Sequence, residues 1–138
     1  MKFAAVALPA GLLMALALSA CTKKLAKDPA PCFKVKRVAG ICADVVLQVQ
    51  DPKYFSLGED NWPNTSDKNL LYNHVFFVAN YCAFEKSLLA AGLDPKTTET
   101  FTVQLGTDPN ATDCITCKAA LASRPVTKQS VIVVKTCK

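Results

Sequence analysis

LLYNHVFFVANYCAFEKSLLAAG, Leu70 to Gly92, is the stretch on which the fold turns. Leu70, His74, Phe77, Tyr81, Phe84 and Leu88 recur at intervals of three and four, with Leu71, Val75, Val78, Cys82 and Leu89 alongside. Such a period gathers apolar side chains onto one broad helical face. Thr65, Ser66 or Asp67 offers an N-cap oxygen, and Gly92 followed by Pro95 ends the pattern. The spacing therefore predicts one long helix packed on a sheet. Phe76 falls off the stripe near Tyr72 and Ala83 and marks a second contact surface, either for a partner or for the loop carrying Trp62. His74, the only histidine, lies on the apolar face, where a structural core position suits it better than zinc ligation. Its co-ligands would have to be cysteines that already have another use.

On either side of this stretch the period drops to two. Phe33 and Val35 alternate with Lys34 and Lys36; after Gly40, the residues Ile41, Ala43, Val45, Leu47 and Val49 alternate with Cys42, Asp44, Gln48 and Gln50. That is a strand rhythm, with Val46 the one apolar residue on the wet face. Cys42 lies opposite the aliphatic row, so its bridge should fasten something across the outside of the sheet or at its edge. Residues 51 to 66 (DPKYFSLGEDNWPNTS) have turn formers and no period, and read as a long loop. Tyr54, Phe55 and the sole tryptophan, Trp62, sit on it; aromatic residues so placed either cap the core or anchor a partner. Downstream, residues 98 to 105 form a half-buried strand, Gly106 to Asn110 a turn, Thr112 or Asp113 to Ala122 a second, shorter helix ending before Pro125, and Ser130 to Thr136 a β-branched strand. That last strand is a candidate edge, open to pairing with another chain. The expected fold is α+β: a small, mostly antiparallel sheet with one long helix packed on it and a second short helix, stapled by disulfides.

Seven cysteines occur, at 21, 32, 42, 82, 114, 117 and 137. Setting Cys21 aside leaves Cys32, Cys42, Cys82, Cys114, Cys117 and Cys137, an even set that suits three bridges in an oxidising compartment, with fifteen pairings open. Cys114-Ile115-Thr116-Cys117, at the start of the expected second helix, also has the CxxC form of a thiol-disulfide oxidoreductase, whose helix N-terminus lowers a thiol pKa. Asp113 beside it disfavours a thiolate, and Pro125 lies too near for the proline loop of the thioredoxin pattern.

Cys21 is set aside because of what precedes it. Met1-Lys2 forms a positive n-region, Phe3 to Leu18 a 16-residue apolar run, and Leu18-Ser19-Ala20-Cys21 closes it. The run is shorter than the ~20 apolar residues of a comfortable membrane span and is interrupted by Pro9 and Gly11. This segment resembles the lipobox of bacterial lipoproteins. The resemblance implies a signal peptide over 1–20, removed in the mature protein, and acylation of Cys21 by palmitate-type chains, two or three of which make a firm anchor. Thr22 in place of aspartate implies the outer rather than the inner membrane. Residues 21–31 then form a tether, with Lys23, Lys24 and Lys27 followed by Lys34, Lys36 and Arg37 close to the lipid, where they are either ordinary solvated charge or an attraction for anionic headgroups. Residues 32–138 form one disulfide-bonded domain facing the periplasm or the cell surface.

The 118 residues left after removal of the signal carry 15 basic and 11 acidic side chains, a mild excess that does not suggest a nucleic-acid partner. No catalytic constellation, metal set or cofactor motif stands out. The expected function is that of a lipid-anchored, non-enzymatic interaction module whose partner is another envelope protein: a small component of a secretion or conjugation apparatus, or a surface protein of the exclusion type. The alternatives are an inhibitor or ligand-binding lipoprotein, and an oxidoreductase using Cys114 and Cys117. Tyr54, Phe55, Trp62 and Phe76 are the candidate partner contacts.

Overall fold

The computed structural model describes residues 29–65, 67, 70–95, 97–106, 114–115 and 117–137. The signal segment, Cys21 and most of the tether lie outside the described residues. So do Ser66 among the expected caps and the expected start of the second helix at Thr112 or Asp113. In chain order the elements are β1 (Cys32–Ile41), β2 (Asp44–Val49), a 3-10 turn (Pro52–Leu57), β3 (Trp62–Asn64), β4 (Leu70–Tyr72), β5 (Val75–Val78), α1 (Tyr81–Ala90), β6 (Thr100–Leu105), β7 (Lys128–Gln129) and β8 (Val131–Val134).

The expected α+β layout is overturned. The domain is dominated by one curled six-stranded sheet, and helix α1 spans ten residues rather than the whole of 70–92. Leu70 to Val78 is extended, not helical: β4 pairs with β3, the chain bends at Asn73 and His74, the latter with φ 59°, and runs on in the same direction into β5, which adds to the edge of β2. The apolar period of three and four is coincidental here. Val75-Phe76-Phe77-Val78 is β-branched and aromatic, and both of its faces meet apolar neighbours, so no polar residue breaks the run to reveal the strand period. The expected second helix is also absent where described, since residues 117–122 have no helical structure.

The six strands lie in the order β7-β5-β2-β1-β6-β8, all neighbours antiparallel except β5 and β7. Ser130 alone separates β7 from β8. The two are one run of chain that pairs first with β5 and then with β6, which brings the sheet back upon itself. Counting that run as the fifth strand, and β1, β2, β5 and β6 as the first four, the helix falls between strands three and four, and strands three and five are parallel. This is the connectivity of the OB type, a five-stranded, partly open barrel. A bulge between Arg37 and Ala39 shifts the β1–β2 register and supports the curl.

The barrel interior holds Phe33, Val35, Val45, Leu47, Val49, Phe76, Val78, Phe101, Val103, Val131 and Val133, with Phe84 and Leu88 of α1 packed into the same cluster. The strand rhythm of β1, β2, β6 and β8 places these residues as alternation predicts. Cys32–Cys137 ties the start of β1 to the chain just beyond β8, with Cα atoms 5.7 Å apart. Cys82–Cys114 ties the first turn of α1 to the loop after β6, at 5.3 Å.

Where β8 parts from β5 the barrel is open, and its backbone would be left unpaired. Two polar side chains close the gap. Asn80, the residue before α1, donates through Nδ2 to the Val131 carbonyl at 3.1 Å and accepts from the Val131 N–H at 2.9 Å. Ser87 Oγ accepts from the Val133 N–H at 2.8 Å and donates to the Phe84 carbonyl at 2.7 Å. The outer edge of β8, the candidate edge strand, is therefore occupied by side chains of the helix segment, which blunts it against further pairing. Asn80→Ala strands two buried backbone groups at once and should lower unfolding free energy by about 2–4 kcal/mol; Ser87→Ala should cost about 1–2 kcal/mol. Urea unfolding with the disulfides intact reads both, and equal losses would deny Asn80 its double role.

Candidate functional site

The outer face of β2 and β5 is where barrels of this connectivity bind oligonucleotides or oligosaccharides, flanked by the loops after strands one and four. Here that face carries Val46 and Val75, both fully buried, with Phe77 partly buried beside them. Two pieces of the chain lie over it. The first is the β3–β4 hairpin, whose Trp62 packs on Val46 and Val75 and is 3% exposed. Asn64 Nδ2 donates to the Val38 carbonyl at 3.2 Å, holding the hairpin to β1. The second is the strap 117–127, which contributes Leu121 to the same cluster. Val46 is thus not a lone apolar residue on a wet face; it is the floor of a second, smaller core.

The strap has no regular structure and is held by particular contacts. Cys42 occupies the two-residue turn between β1 and β2 with φ 52°, and is bonded to Cys117, Cα to Cα 5.4 Å. The Asp44 carboxylate, 5% exposed, accepts from the Leu121 N–H at 2.8 Å and from Arg124 Nε at 2.7 Å. The Arg124 guanidinium lies 5.4 Å from the centre of the Phe77 ring. At the far end Glu59 accepts from the Thr127 N–H at 2.6 Å. Glu59 also pairs with Val75, so the 51–61 loop runs against the start of β5. Gly58 sits where any Cβ would collide with the backbone of His74 and Val75, which explains why no larger residue stands there.

No family model, curated protein or solved structure matches this chain.

The aromatic candidates are accordingly placed by geometry alone. Phe76 is fully buried in the barrel, its ring edge-on to Phe33 at 6.4 Å, and Trp62 is buried in the second core. Neither is on a docking surface, because in both the ring fills space that the strands enclose. The Trp62 Nε1–H has no acceptor among the described residues, an unmet donor whose cost of order 1–3 kcal/mol is offset by burial of the ring. Tyr54 packs against Phe33 at 5.1 Å, and Phe55 stacks flat on His74 at 3.7 Å. Both are half-buried caps. His74 is no core residue: it lies at the turn into β5, with Nδ1 3.0 Å from Asp60 Oδ1. Tyr72 donates to Asp67 at 3.1 Å, and desolvation, that hydrogen bond and the carboxylate charge together raise its pKa. Among the described residues no group of three His, Cys, Asp or Glu side chains is arranged to hold a metal.

Cys114 and Cys117 are bonded to Cys82 and Cys42, not to each other. The local disulfide that an oxidoreductase reading of Cys114-Ile115-Thr116-Cys117 requires is absent, and each sulfur instead holds a loop against a different part of the barrel. The CxxC spacing could not reveal this, because both partners are remote in sequence.

What remains open is the other side of the barrel, the outer face of β1, β6 and β8. Cross-strand register aligns Lys34, Thr102 and Val134, and beside them Cys32, Gln104 and Ile132. Lys36 and Thr100 follow. Two adjoining clefts lie here. One, of about 510 Å³, is lined by residues that include Lys34, Thr102, Leu93 and Lys135. The other, about 410 Å³, is lined by Pro29, Ala30, Gln104, Val134 and Lys135 among others. Lys34 and Lys36 stand out in the sequence beside the tether, but only the fold brings Lys135, just beyond β8, next to Lys34.

Trp62 is the sole tryptophan, so its fluorescence reports the covered face. Replacing Cys42 and Cys117 together by serine should cost about 2–4 kcal/mol and shift Trp62 emission to the red. Asp44→Ala should cost about 1–3 kcal/mol and speed amide exchange at Leu121 before exchange in β1. Unchanged emission in both variants would show that the strap does not cover Trp62.

Proposed function

We propose that this protein is a lipid-anchored, non-enzymatic interaction module of a bacterial cell envelope, held by acyl chains on Cys21 and recognising another envelope protein. The observation that carries the reading is the cysteine arithmetic. Cys32, Cys42, Cys82, Cys114, Cys117 and Cys137 pair among themselves, which leaves the one odd cysteine at the end of the lipobox-like segment. Three bridges in so small a domain suit an oxidising compartment, and the signal-like N-terminus leads to one. Among the described residues no helix is long and apolar enough to cross a membrane; the anchor of this proposal is the lipid.

A binding role is supported by how the barrel is used. The face on which such barrels take nucleic acid or sugar is filled by the chain's own hairpin and strap, so recognition passes to the segments on top of it. Those segments expose the apolar side chains Leu70, Leu71 and Val126, which suit a protein partner better than a charged polymer. A small component of a multiprotein envelope machine, sited in the outer membrane, is the most economical form of this reading.

Mass spectrometry of the natively purified protein, alkylated without reduction, tests it. The expected result is a chain beginning at Cys21, carrying a diacylglyceryl group and an N-acyl chain, with no alkylated thiol among the other six cysteines. An intact N-terminus with a free Cys21 thiol would overturn the anchor. Alkylation of Cys114 and Cys117 would instead return redox chemistry to consideration.

A further inference from the structure

We infer that the open face of β1, β6 and β8 is a docking surface for anionic lipid headgroups, which sets the domain on the membrane in one orientation. The inference rests on the lipid-anchored reading and adds to it which side of the barrel meets the bilayer.

Three observations converge on this face. The first is where the chain enters. Pro29 and Ala30 line the smaller cleft together with Val134 and Lys135, so the tether emerges from the groove itself. The second is length. Only residues 21–28 separate the acylated position from Pro29, and eight residues reach at most about 30 Å when fully extended. The domain therefore stays within roughly its own diameter of the headgroups, with this groove as its nearest side.

The third is charge. Lys34, Lys36 and Lys135 are exposed around the groove, and neither the Arg124–Asp44 ion pair nor the His74–Asp60 contact seen among the described residues involves any of them. Hydroxyls of Thr100 and Thr102 and the amide of Gln104 stand between the lysines in register. Such a surface offers cations and neutral hydrogen-bonding groups to phosphate oxygens. In the sequence, Lys23, Lys24 and Lys27 fall between Cys21 and Pro29. The acidic residues Glu59, Asp60 and Asp67 belong to the loops over the β2–β5 side, while Asp94 and Glu99 adjoin Leu93 and Thr100 at one end of the larger cleft. The membrane would thus be met by the basic side, leaving the exposed Leu70 and Leu71 of the hairpin for a protein partner.

The test uses the full native protein reconstituted into two kinds of vesicle, pure phosphatidylcholine and phosphatidylcholine with phosphatidylglycerol added to about one third. Lysines are acetylated with a water-soluble reagent and quantified by mass spectrometry. On the anionic vesicles Lys34 and Lys135 should react at least five-fold more slowly than on the neutral ones, while Lys53, Lys86 and Lys118 react equally on both. The protection should vanish in high salt, which screens exposed charges, and the variant K34Q/K135Q should lose the protection of Lys36. Equal reaction of Lys34 and Lys135 on the two vesicles would overturn the proposal, as would protection that salt leaves unchanged, the mark of a protein or aggregate contact. Flotation with the neutral vesicles reads the acyl anchor independently. Protein that fails to float there but is still protected at Lys34 and Lys135 on anionic vesicles keeps the basic face and loses the lipoprotein reading.

Discussion

The structure depends on the run from Lys128 to Val134 having two different neighbours. Its first half pairs with β5 and its second with β6, so that a sheet whose outer strands would otherwise be bare edges closes into a barrel. Closure removes the liability of unpaired backbone and creates an interior that Phe33, Phe76, Leu47 and a set of valines can fill. The changeover leaves a gap, and two side chains of the helix segment, Asn80 and Ser87, supply the missing backbone partners there. The short helix is thus best understood as a plug with two hydrogen-bonding contacts rather than as a layer of its own.

Once the barrel exists, its outer surface divides. On the β2–β5 side the strands present Val46, Val75 and Phe77, and the chain covers them with the Trp62 hairpin and an irregular strap. The strap has little internal structure to hold it, so it relies on the Cys42–Cys117 bridge at one end, Asp44 in the middle and Glu59 at the other. On the β1–β6–β8 side the strands present lysine, threonine and glutamine, with Ile132 and Val134 of β8 half-buried among them, and no other segment lies over it as the strap does on the opposite side. One face is sealed, the other open and basic, and the tether leaves from the open one.

Several features were legible in the residues alone. Alternation identified β1 and β6, whose exposed polar residues mark the period, and β2, where Asp44 and Gln48 mark it although that face is covered; β8 was legible from its β-branched run. The even set of six cysteines implied three bridges, and Cys42, placed opposite the aliphatic row, does fasten a segment across the outside of the sheet. The long helix was misjudged because β5 is apolar on both faces: Phe76 points into the barrel and Phe77 toward Arg124, and a strand buried on both sides shows no alternation. Phe76 looks like a contact residue because it lies off the apparent helical stripe, though it fills the barrel, and Trp62 because it lies on a stretch with no period, though it is buried in the second core.

The sequence by itself determined the local quantities: which short runs prefer extended backbone, which cysteines form a set, where charge and the lipobox-like segment lie. These follow from neighbours a few residues apart. The tertiary structure alone decided which cysteine meets which, that Asn80 and Ser87 guard an edge, that Val46 is buried, and that Lys34 and Lys135 share a groove. Each of those joins residues about thirty to a hundred positions apart or waits on a second face being covered, and the free energy that selects among such pairings is that of the whole closed barrel, which no local window contains.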